Sequence, residues 1–355
     1  MLQGFKNLSP KVIKNRFTGA LRLASSVSTE PYSEFLQQVA KVDPPQRLAG
    51  LLNILKLQGH ELLNPRERSG LNPLLIPLAK DHSDQSIIGF VRWPTQKESM
   101  PLQVVKTNEV GLTLLALDTD SYCLRQAVEL DIAGDNRAGE VLALADPPDN
   151  KKYPLGYAAN FINITKLPKT SEENRQRLNL DRFLLLKVGP FLDSYRRLAF
   201  DYDKLGNEVN ALITCERAVN VFFGWGSPMT LHMQLLAKTG RADEARDSAK
   251  AVLANPKFTL CDSSKELDEI VRIAGYTNLA VLGDMHAFRS TDPRQKEVEE
   301  GLTKEQVLLD QAAHLMDAVS LGRIEGGWDA ARKDIAQRYF DGGYPDVAKF
   351  IETVN

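Results

Sequence analysis

The sequence predicts an α+β protein that is mainly α, with a small β-β-β-α-β module followed by a longer helical half. Short β-branched or alternating runs, SIIGFVRW, PLQVVK and GLTLLAL, are confined to residues 86–117. From residue 178 onward, apolar residues recur with helical spacing, and small residues recur 34 positions apart. With 355 residues, the chain is long enough for two or three domains.

The first 23 residues predict an organelle transit peptide. They are basic, contain no acidic residue, space their apolar side chains roughly as a helix does, and precede three serines. The alternative is the flexible basic tail of a cytosolic protein. The pattern is shared by mitochondrial and plastid leaders, and we favour the mitochondrion over the plastid. The basic residues are Lys6, Lys11, Lys14, Arg16 and Arg22.

The next three regions differ in their periodicity. Residues 24–83 are predicted to be a helical N-terminal segment, because PYSEFLQQVAKV and PPQRLAGLLNILKLQGHELL show helix-period spacing. The α+β module follows at 84–146, with a helix in SYCLRQAVELDIAG and a fourth strand in EVLALAD. Residues 147–177 contain two polar stretches, one of them proline-rich, and predict a linker to the helical half, 178–355.

The helical half repeats with a period of 34 residues. Gly206 and Gly240 are 34 apart, and so are Ala211 and Ala245. Two helices approach closely only where one side is small, so small residues at fixed positions indicate helix pairs. The residues predicted to pack these pairs are Tyr195, Leu198, Ala199, Tyr202, Gly206, Ala211, Cys215, Ala218, Gly240, Ala245, Ala249, Ile335, Ala336, Tyr339, Gly343 and Ala348.

The stretch SYRRLAFDYDKLGNEVNALITCERAV resembles the tetratricopeptide repeat (TPR) family, because its first helix has the family's large-Leu-small-Tyr spacing. Two later units match in part. The resemblance implies a TPR-like array of helix pairs with a concave surface that binds other proteins. We place this groove on polar positions of first helices, at Arg196, Asp203 and Lys238. Trp225, between two units, is expected to cap the core there.

The sharpest catalytic candidate is the pair of carboxylates in LLALDTDSY. It resembles the haloacid-dehalogenase-like (HAD-like) phosphotransferases, in which Asp118 would be the nucleophile and Asp120 the general acid, with Mg²⁺ bound. It also resembles the DxD motif of nucleotide-sugar transferases. However, Tyr122 stands where the dehalogenase motif has Thr or Val, and no alternating strand–helix pattern surrounds it. The favoured interpretation is that these residues cap the helix that begins there.

Other chemistry finds little support in the sequence. The five histidines and three cysteines show no metal-ligand spacing, so no metal or cofactor is expected. No apolar run reaches the ~20 residues that a membrane-spanning helix needs. Without its first 23 residues the chain has 39 basic against 46 acidic residues. This balance disfavours a third hypothesis, an organellar RNA-binding helical-repeat protein.

The C-terminal phrases LLDQAAHLMD and GGWDAARKDIAQRYFDGGYPDVAKFI are similar to poorly characterised organellar proteins of plants and green algae. The similarity implies a partner among energy-transducing complexes. The predicted function is therefore a non-enzymatic scaffold, either an accessory subunit or an assembly factor of a large organellar complex such as ATP synthase. Its predicted partners are other proteins, and any membrane association is expected to be peripheral, through such a partner.

Overall fold

The structure is a computed structural model that describes residues 27–97, 99–147, 152–164, 172–277, 301 and 303–354. Helices dominate it, and its sheet lies in the N-terminal part, so the predicted α+β, mainly α fold class is confirmed. The predicted transit peptide, 1–23, and parts of the predicted linker lie outside the described residues. The predicted domain boundaries remain predictions.

Five antiparallel strands form the sheet, in the order β1-β2-β3-β4-β5. Each strand pairs with the next one along the chain, which is the arrangement that antiparallel pairing through turns and loops favours. The third residue of β2, Pro77, pairs with Gly89, and the register shifts just beyond it. The strands are β1 Glu61–Leu62, β2 Leu75–Lys80, β3 Ile87–Val91, β4 Gln103–Thr107 and β5 Leu112–Ala116.

Two of these strands lie in the segment predicted to be helical. Both β1 and β2 fall within 24–83, so that part of the prediction was wrong. The run LLIPLA is short and continuously apolar, and periodicity alone does not distinguish such a run from a buried helix. In the sequence, Pro77 also disfavours a strand, because proline has no backbone N–H to donate to the sheet. In the structure, the strand accommodates Pro77 beside a shift in its register with β3.

The N-terminal helices pack against one another and against the sheet. In the second of them, Leu51, Leu52, Ile54 and Leu55 are all fully buried, so this helix is enclosed on several sides. The helices are α1 Glu30–Phe35, continued by a π-helical turn at Leu36–Ala40, α2 Leu48–Leu57, α3 Thr119–Ile132 and α4 Ala138–Ala145.

The predicted fourth strand, EVLALAD, is wrong, because residues 140–145 of this stretch lie in helix α4 and Asp146 follows its end. Its buried residues are Ala138, Val141 and Ala145, which stand three and four positions apart and therefore share one helix face. That face packs against α2 and α3. The alternation seen in EVLALAD was therefore a short-range coincidence within a helical pattern.

The remainder of the described chain is mainly helical and includes three hairpins. Helix α7 packs against α8, α9 against α10, and α13 against α14, and three-residue turns join the members of each pair. The helices are α5 Tyr157–Ile164, α6 Glu172–Phe183, continued by a π-helical turn at Leu184–Val188, α7 Leu192–Lys204, α8 Glu208–Val221, α9 Ser227–Lys238, α10 Ala242–Val252, α11 Ser264–Ile273, α12 Lys304–Ser320, α13 Gly327–Asp341 and α14 Pro345–Glu352. None of the described helices is long and apolar enough to cross a membrane.

Two buried arginines fix the C-terminal helices to the N-terminal part. The guanidinium of Arg68, which is fully buried, donates to the carbonyls of Leu75 and Thr353, both at 3.0 Å. Arg332 donates to the carbonyls of Arg68 at 2.8 Å and Leu71 at 2.9 Å. Burial, helped by the neighbouring charge of Arg332, lowers the pKa of Arg68 to about 9. These side chains join residues more than 250 positions apart in the sequence.

Candidate functional site: surfaces of the helical hairpins

The predicted repeat-packing residues lie mostly in the interiors of the helix pairs. Ala211, Cys215 and Ala218 of α8 are fully buried, and small side chains there let α7 and α8 approach closely. The turn residues Gly206, Gly240 and Gly343 all have positive φ. Tyr195 and Tyr202 are half-buried. The remaining predicted residues are buried: Leu198, Ala199, Ala245, Ala249, Ile335, Ala336, Tyr339 and Ala348.

The residues predicted for the binding groove form ion pairs that join different helices of this region. Arg196 of α7 pairs with Glu266 of α11, and Gln234 of α9 bonds both of them, at 2.8 Å in each case. Lys238 of α9 likewise pairs with Asp203 of α7. These contacts hold the first helices side by side. Whether the three residues also bind a partner remains a prediction, and any partner must compete with the ion pairs.

The carboxylates singled out as catalytic candidates have structural partners. The side chain of Asp118 accepts hydrogen bonds from the backbone N–H of Ser121 at 2.6 Å and from its hydroxyl at 3.1 Å. The capping interpretation is therefore confirmed. Asp120 lies 3.1 Å from the guanidinium of Arg47. Among the described residues, no group of three or more His, Cys, Asp or Glu is placed to hold a metal ion.

A network of partly buried charges joins α3 to α6 and α7. Arg125 donates to both carboxylate oxygens of Asp193, at 2.7 and 2.5 Å, and Arg197 bonds Asp193 at 2.8 Å. Burial disfavours the ionised form of Asp193, but the guanidinium groups of Arg125 and Arg197 outweigh it and hold its pKa well below the usual range. Arg197 also pairs with Asp181, whose pKa burial raises. The network is thus a structural link between the two parts of the chain.

Half of the exposed large apolar side chains in the described residues lie in one short segment. Of the ten large apolar side chains that are exposed in the described part of the chain, five lie between residues 205 and 223. Val209 and Ile213 stand four positions apart on the side of α8 opposite its buried small residues, and Leu205 lies in the turn before the helix. Phe223, just after the helix, is 92% exposed. The set, which we call the 205–223 surface, comprises Leu205, Val209, Ile213, Val221 and Phe223.

The sequence did not single out the residues of the 205–223 surface as binding residues. A helical projection of α8 would separate Val209 and Ile213 from the small buried face, so part of the signal was present. Phe223 could not be distinguished in this way from Phe222, because both belong to one apolar, glycine-rich stretch. Only the tertiary structure buries Phe222 and exposes Phe223.

A shallow cavity of about 340 Å³ is formed by residues of α12, the turn that follows it, and α13. Its volume is near the lower end of the range for small-molecule sites, ~300–1,000 Å³. Its lining combines apolar residues with cationic groups and contains no carboxylate, so it lacks the paired acids expected of a hydrolytic or phosphotransfer site. The lining residues are Gln311, His314, Leu315, Ala318, Leu321, Arg323 and Arg338.

Comparisons with known proteins find similarity along most of the chain. Three family models match: PAB N-terminal at residues 30–163, PAB middle domain at 192–277 and PAB C-terminal domain at 268–354. A protein of Arabidopsis thaliana named Protein IN CHLOROPLAST ATPASE BIOGENESIS, chloroplastic, is 30% identical over 333 residues, 93% of this chain and 93% of that relative. No solved structure matches the chain. The similarity includes both the sheet and the helical hairpins.

Proposed function

This chain belongs to the PAB family, and we propose that it is a plastid assembly factor for an ATP synthase, acting by binding protein subunits rather than by catalysis. The observation that carries the proposal is the 30% identity to the chloroplast ATPase biogenesis protein across 93% of both chains. The name of that relative favours a plastid location. It lends no support to the mitochondrial location that the sequence favoured.

The contacts of the charged residues support a binding role. Asp118 caps a helix, Asp120 pairs with Arg47, and the charges around Asp193 neutralise one another. An active site usually contains a group whose environment leaves it ready to accept or donate a proton to a ligand. These carboxylates are instead held by their own neighbours.

The finer architecture of the binding region is also a proposal. Helices α7 to α10 form two hairpins whose turn glycines, Gly206 and Gly240, stand 34 residues apart. This spacing supports a degenerate tetratricopeptide-type array, in which stacked pairs present an extended surface to a protein partner. The polar groove at Arg196, Asp203 and Lys238 belongs to the same proposal.

A plant lacking this protein tests the function. Plastid membranes are separated on native gels, and the assembled ATP synthase is quantified together with its free subunits. We expect loss of the assembled enzyme and retention of other plastid complexes. The protein itself is expected to migrate with subassemblies. Migration with the complete enzyme at fixed stoichiometry would make it an accessory subunit instead, and an unchanged level of ATP synthase would contradict the proposal.

Complementation with a single substitution separates binding from catalysis. Asp118→Asn removes the carboxylate but keeps a good helix cap, because asparagine caps about as well as aspartate. We expect this variant to restore ATP synthase to the wild-type level. Failure to restore it, in a protein with unchanged stability, would favour the phosphotransferase hypothesis. Loss of ATP synthase transcripts in the mutant plant would favour RNA binding.

A further inference from the structure

The cavity formed by α12, the turn after it and α13, which we call the α12–α13 cavity, is lined by side chains from all three elements. Gln311, His314 and Ala318 stand three or four positions apart on α12 and therefore share one helix face. Arg323 comes from the turn, and Arg338 comes from α13. Two guanidinium groups, an imidazole and a carboxamide thus lie around one cavity of about 340 Å³.

A glycine at the end of α12 positions Arg323. The N–H of Gly322 donates to the carbonyl of Val319 at 2.9 Å. The N–H of Arg323 donates to the carbonyl of Ala318, also at 2.9 Å. This pair of hydrogen bonds is the Schellman motif, which needs a residue in the left-handed region, and Gly322 has a φ of +67°. The motif fixes the backbone at residue 323 and with it the base of the Arg323 side chain.

Arg338 supplies a positive charge that has no partner. Its side chain is half-buried, and it forms no ion pair or hydrogen bond with any residue that the structure describes. The half-buried guanidinium groups of Arg196 and Arg197, in contrast, each bond a carboxylate. His314 and Arg323 interact with other groups of the chain. An arriving anion would therefore gain charge-assisted hydrogen bonds from Arg338 without breaking an existing pair.

Acidic residues are close to the α12–α13 cavity in sequence but do not line it. Residues 304–341 contain five Lys or Arg against seven Asp or Glu, so this part of the chain repels an extended anionic surface such as a membrane. Asp317 pairs with Lys257 at 3.0 Å, and Asp341 accepts a hydrogen bond from Gln337 at 2.9 Å. A single anionic group that enters the cavity meets guanidinium groups and no carboxylate of the lining.

The backbone favours a carboxylate over a phosphate as this anionic group. Phosphate sites are usually built from free backbone N–H groups at helix N-termini or in turns. Here the cavity lies towards the C-terminal end of α12, and the N–H groups of residues 321–323 all donate to carbonyls of that helix. The partial negative charge of a helix C-terminus opposes a doubly charged phosphate about twice as strongly as a singly charged carboxylate. Guanidinium groups bind a carboxylate through two parallel hydrogen bonds.

The rest of the lining is apolar and indicates that the carboxylate belongs to a protein. Leu315, Ala318 and Leu321 are half-buried and offer contacts to apolar groups beside the carboxylate. Sites for small molecules enclose most of their ligand. A shallow cavity covers only one end of its ligand, as when a protein partner inserts one side chain or a chain terminus and the rest of it stays outside.

We infer that the α12–α13 cavity binds a carboxylate of an unassembled ATP synthase subunit, carried by an Asp or Glu side chain or by the C-terminus and flanked by apolar residues. The inference rests on the proposed function and adds to it a site on this chain and the chemistry that the partner presents. Recognition depends on Arg338, because its guanidinium group gains a partner only when the carboxylate arrives.

Binding measurements with purified components test this inference. The full chain is titrated with each separately purified water-soluble subunit of chloroplast ATP synthase. We expect at least one subunit to bind, and Arg338→Gln should weaken that binding about tenfold. Raising the salt from about 50 to about 500 mM should weaken the binding of the wild type more than that of Arg338→Gln, because salt screens the ion pair that only the wild type forms.

Lys333→Gln is the matched control. It removes one positive charge from the same helix, but Lys333 is exposed and does not line the cavity. It should bind the subunit as the wild type does, and both variants should unfold at the wild-type midpoint. If the wild type binds a subunit and Arg338→Gln binds it equally well, or if Lys333→Gln weakens binding as much, the inference is overturned while the proposed function stands. If the wild type binds no subunit, both are overturned.

A double-mutant cycle identifies the carboxylate. In the subunit that binds, exposed Asp and Glu residues are changed singly to Asn and Gln, and the C-terminus is amidated. One of these changes should weaken binding to the wild type about tenfold and have little further effect on binding to Arg338→Gln. If none of them is coupled to Arg338 in this way, the inference is overturned.

Two further outcomes would assign the cavity to another ligand. Calorimetric binding of inorganic phosphate to the wild type but not to Arg338→Gln would identify a phosphate site. Binding to vesicles of phosphatidylglycerol and phosphatidylcholine that Arg338→Gln abolishes would identify a membrane surface. Either result overturns the inference.

Discussion

The N-terminal part of the molecule and the hairpins of residues 192–277 differ in the balance between apolar packing and ion pairs that holds them together. In the N-terminal part, whole apolar stretches are buried, as in α2 and β2, and the fully buried Arg68 donates to backbone carbonyls. In the hairpins, small residues lie at the contacts within each helix pair, larger apolar residues such as Met233 and Ile270 form a smaller second core, and side-chain ion pairs join neighbouring helices. The hairpins also carry the exposed apolar surface.

This difference suggests a division of roles. Burying large apolar side chains adds more to the free energy of unfolding, per residue, than forming partly exposed ion pairs does. We therefore expect the N-terminal part to serve as the rigid support and the hairpins to open at lower free energy. The following substitutions test this difference, beginning with the largest expected effect.

Arg68→Ala should be the most damaging change. It removes the donors of several buried backbone carbonyls and leaves a cavity where the N- and C-terminal parts meet. We expect the free energy of unfolding to fall by about 3–5 kcal/mol, measured by urea denaturation. Arg246→Ala, in an exposed ion pair of a hairpin, is the control and should leave the midpoint unchanged. A small effect of Arg68→Ala would show that the arginine is not needed to join the two ends.

Gly111→Ala should disturb the contact between the sheet and the hairpins. A Cβ at residue 111 would lie 2.4 Å from the backbone of Phe258, and backbone atoms cannot move aside as a flexible side chain can. The expected loss is about 1–3 kcal/mol of unfolding free energy. Gly139→Ala, inside α4 with its nearest neighbour 3.6 Å away, should be neutral or slightly stabilising. Equal effects of the two substitutions would mean that residues 111 and 258 separate easily.

Asp81→Asn should make the free energy of unfolding less dependent on pH in the acidic range. Burial opposes the ionisation of Asp81, but hydrogen bonds from Ser83 and the ammonium group of Lys106 outweigh it and lower its pKa from 3.8 to about 2. A lowered pKa stabilises the fold above pH 3.8, and this contribution is lost as the pH falls towards 2. The free energy of unfolding, measured by urea denaturation, should therefore be about 1–2 kcal/mol higher for the wild type than for Asp81→Asn at pH 7. This difference should become progressively smaller below pH 4. A difference that stays constant with pH would contradict this assignment.

Glu266→Gln should have the smallest effect of the four. It weakens the bridge to Arg196 and Gln234 while preserving the size of the side chain. We expect the free energy of unfolding to fall by about 1 kcal/mol. Amide hydrogen exchange should become faster in the hairpins and stay unchanged in the sheet. Asp243→Asn, which changes an exposed pair within one helix, is the control and should leave exchange unchanged. Increased exchange in the sheet as well would mean that the two parts open together.

Several features of the fold could be predicted from local sequence. The cap at Asp118 depends on four consecutive residues, Asp118 to Ser121, and the hairpins of 192–252 on the spacing of glycines and alanines. The strand in LLIPLA and the helix that contains EVLALAD were missed, because short apolar runs fit either period. The ion pairs of Arg196 and Lys238 were missed because their partners stand 35 to 70 residues away.

The sequence by itself determined the mainly helical α+β class, the helical hairpins and the caps, because these depend on residues a few positions apart. Only the tertiary structure decided that Arg68 is buried, that Gln103 joins two tryptophans, and that Phe223 rather than Phe222 is exposed. Those outcomes depend on which distant segments meet. A local pattern of apolar residues determines whether a segment forms a helix or a strand, but long-range packing determines which of its side chains are exposed to solvent.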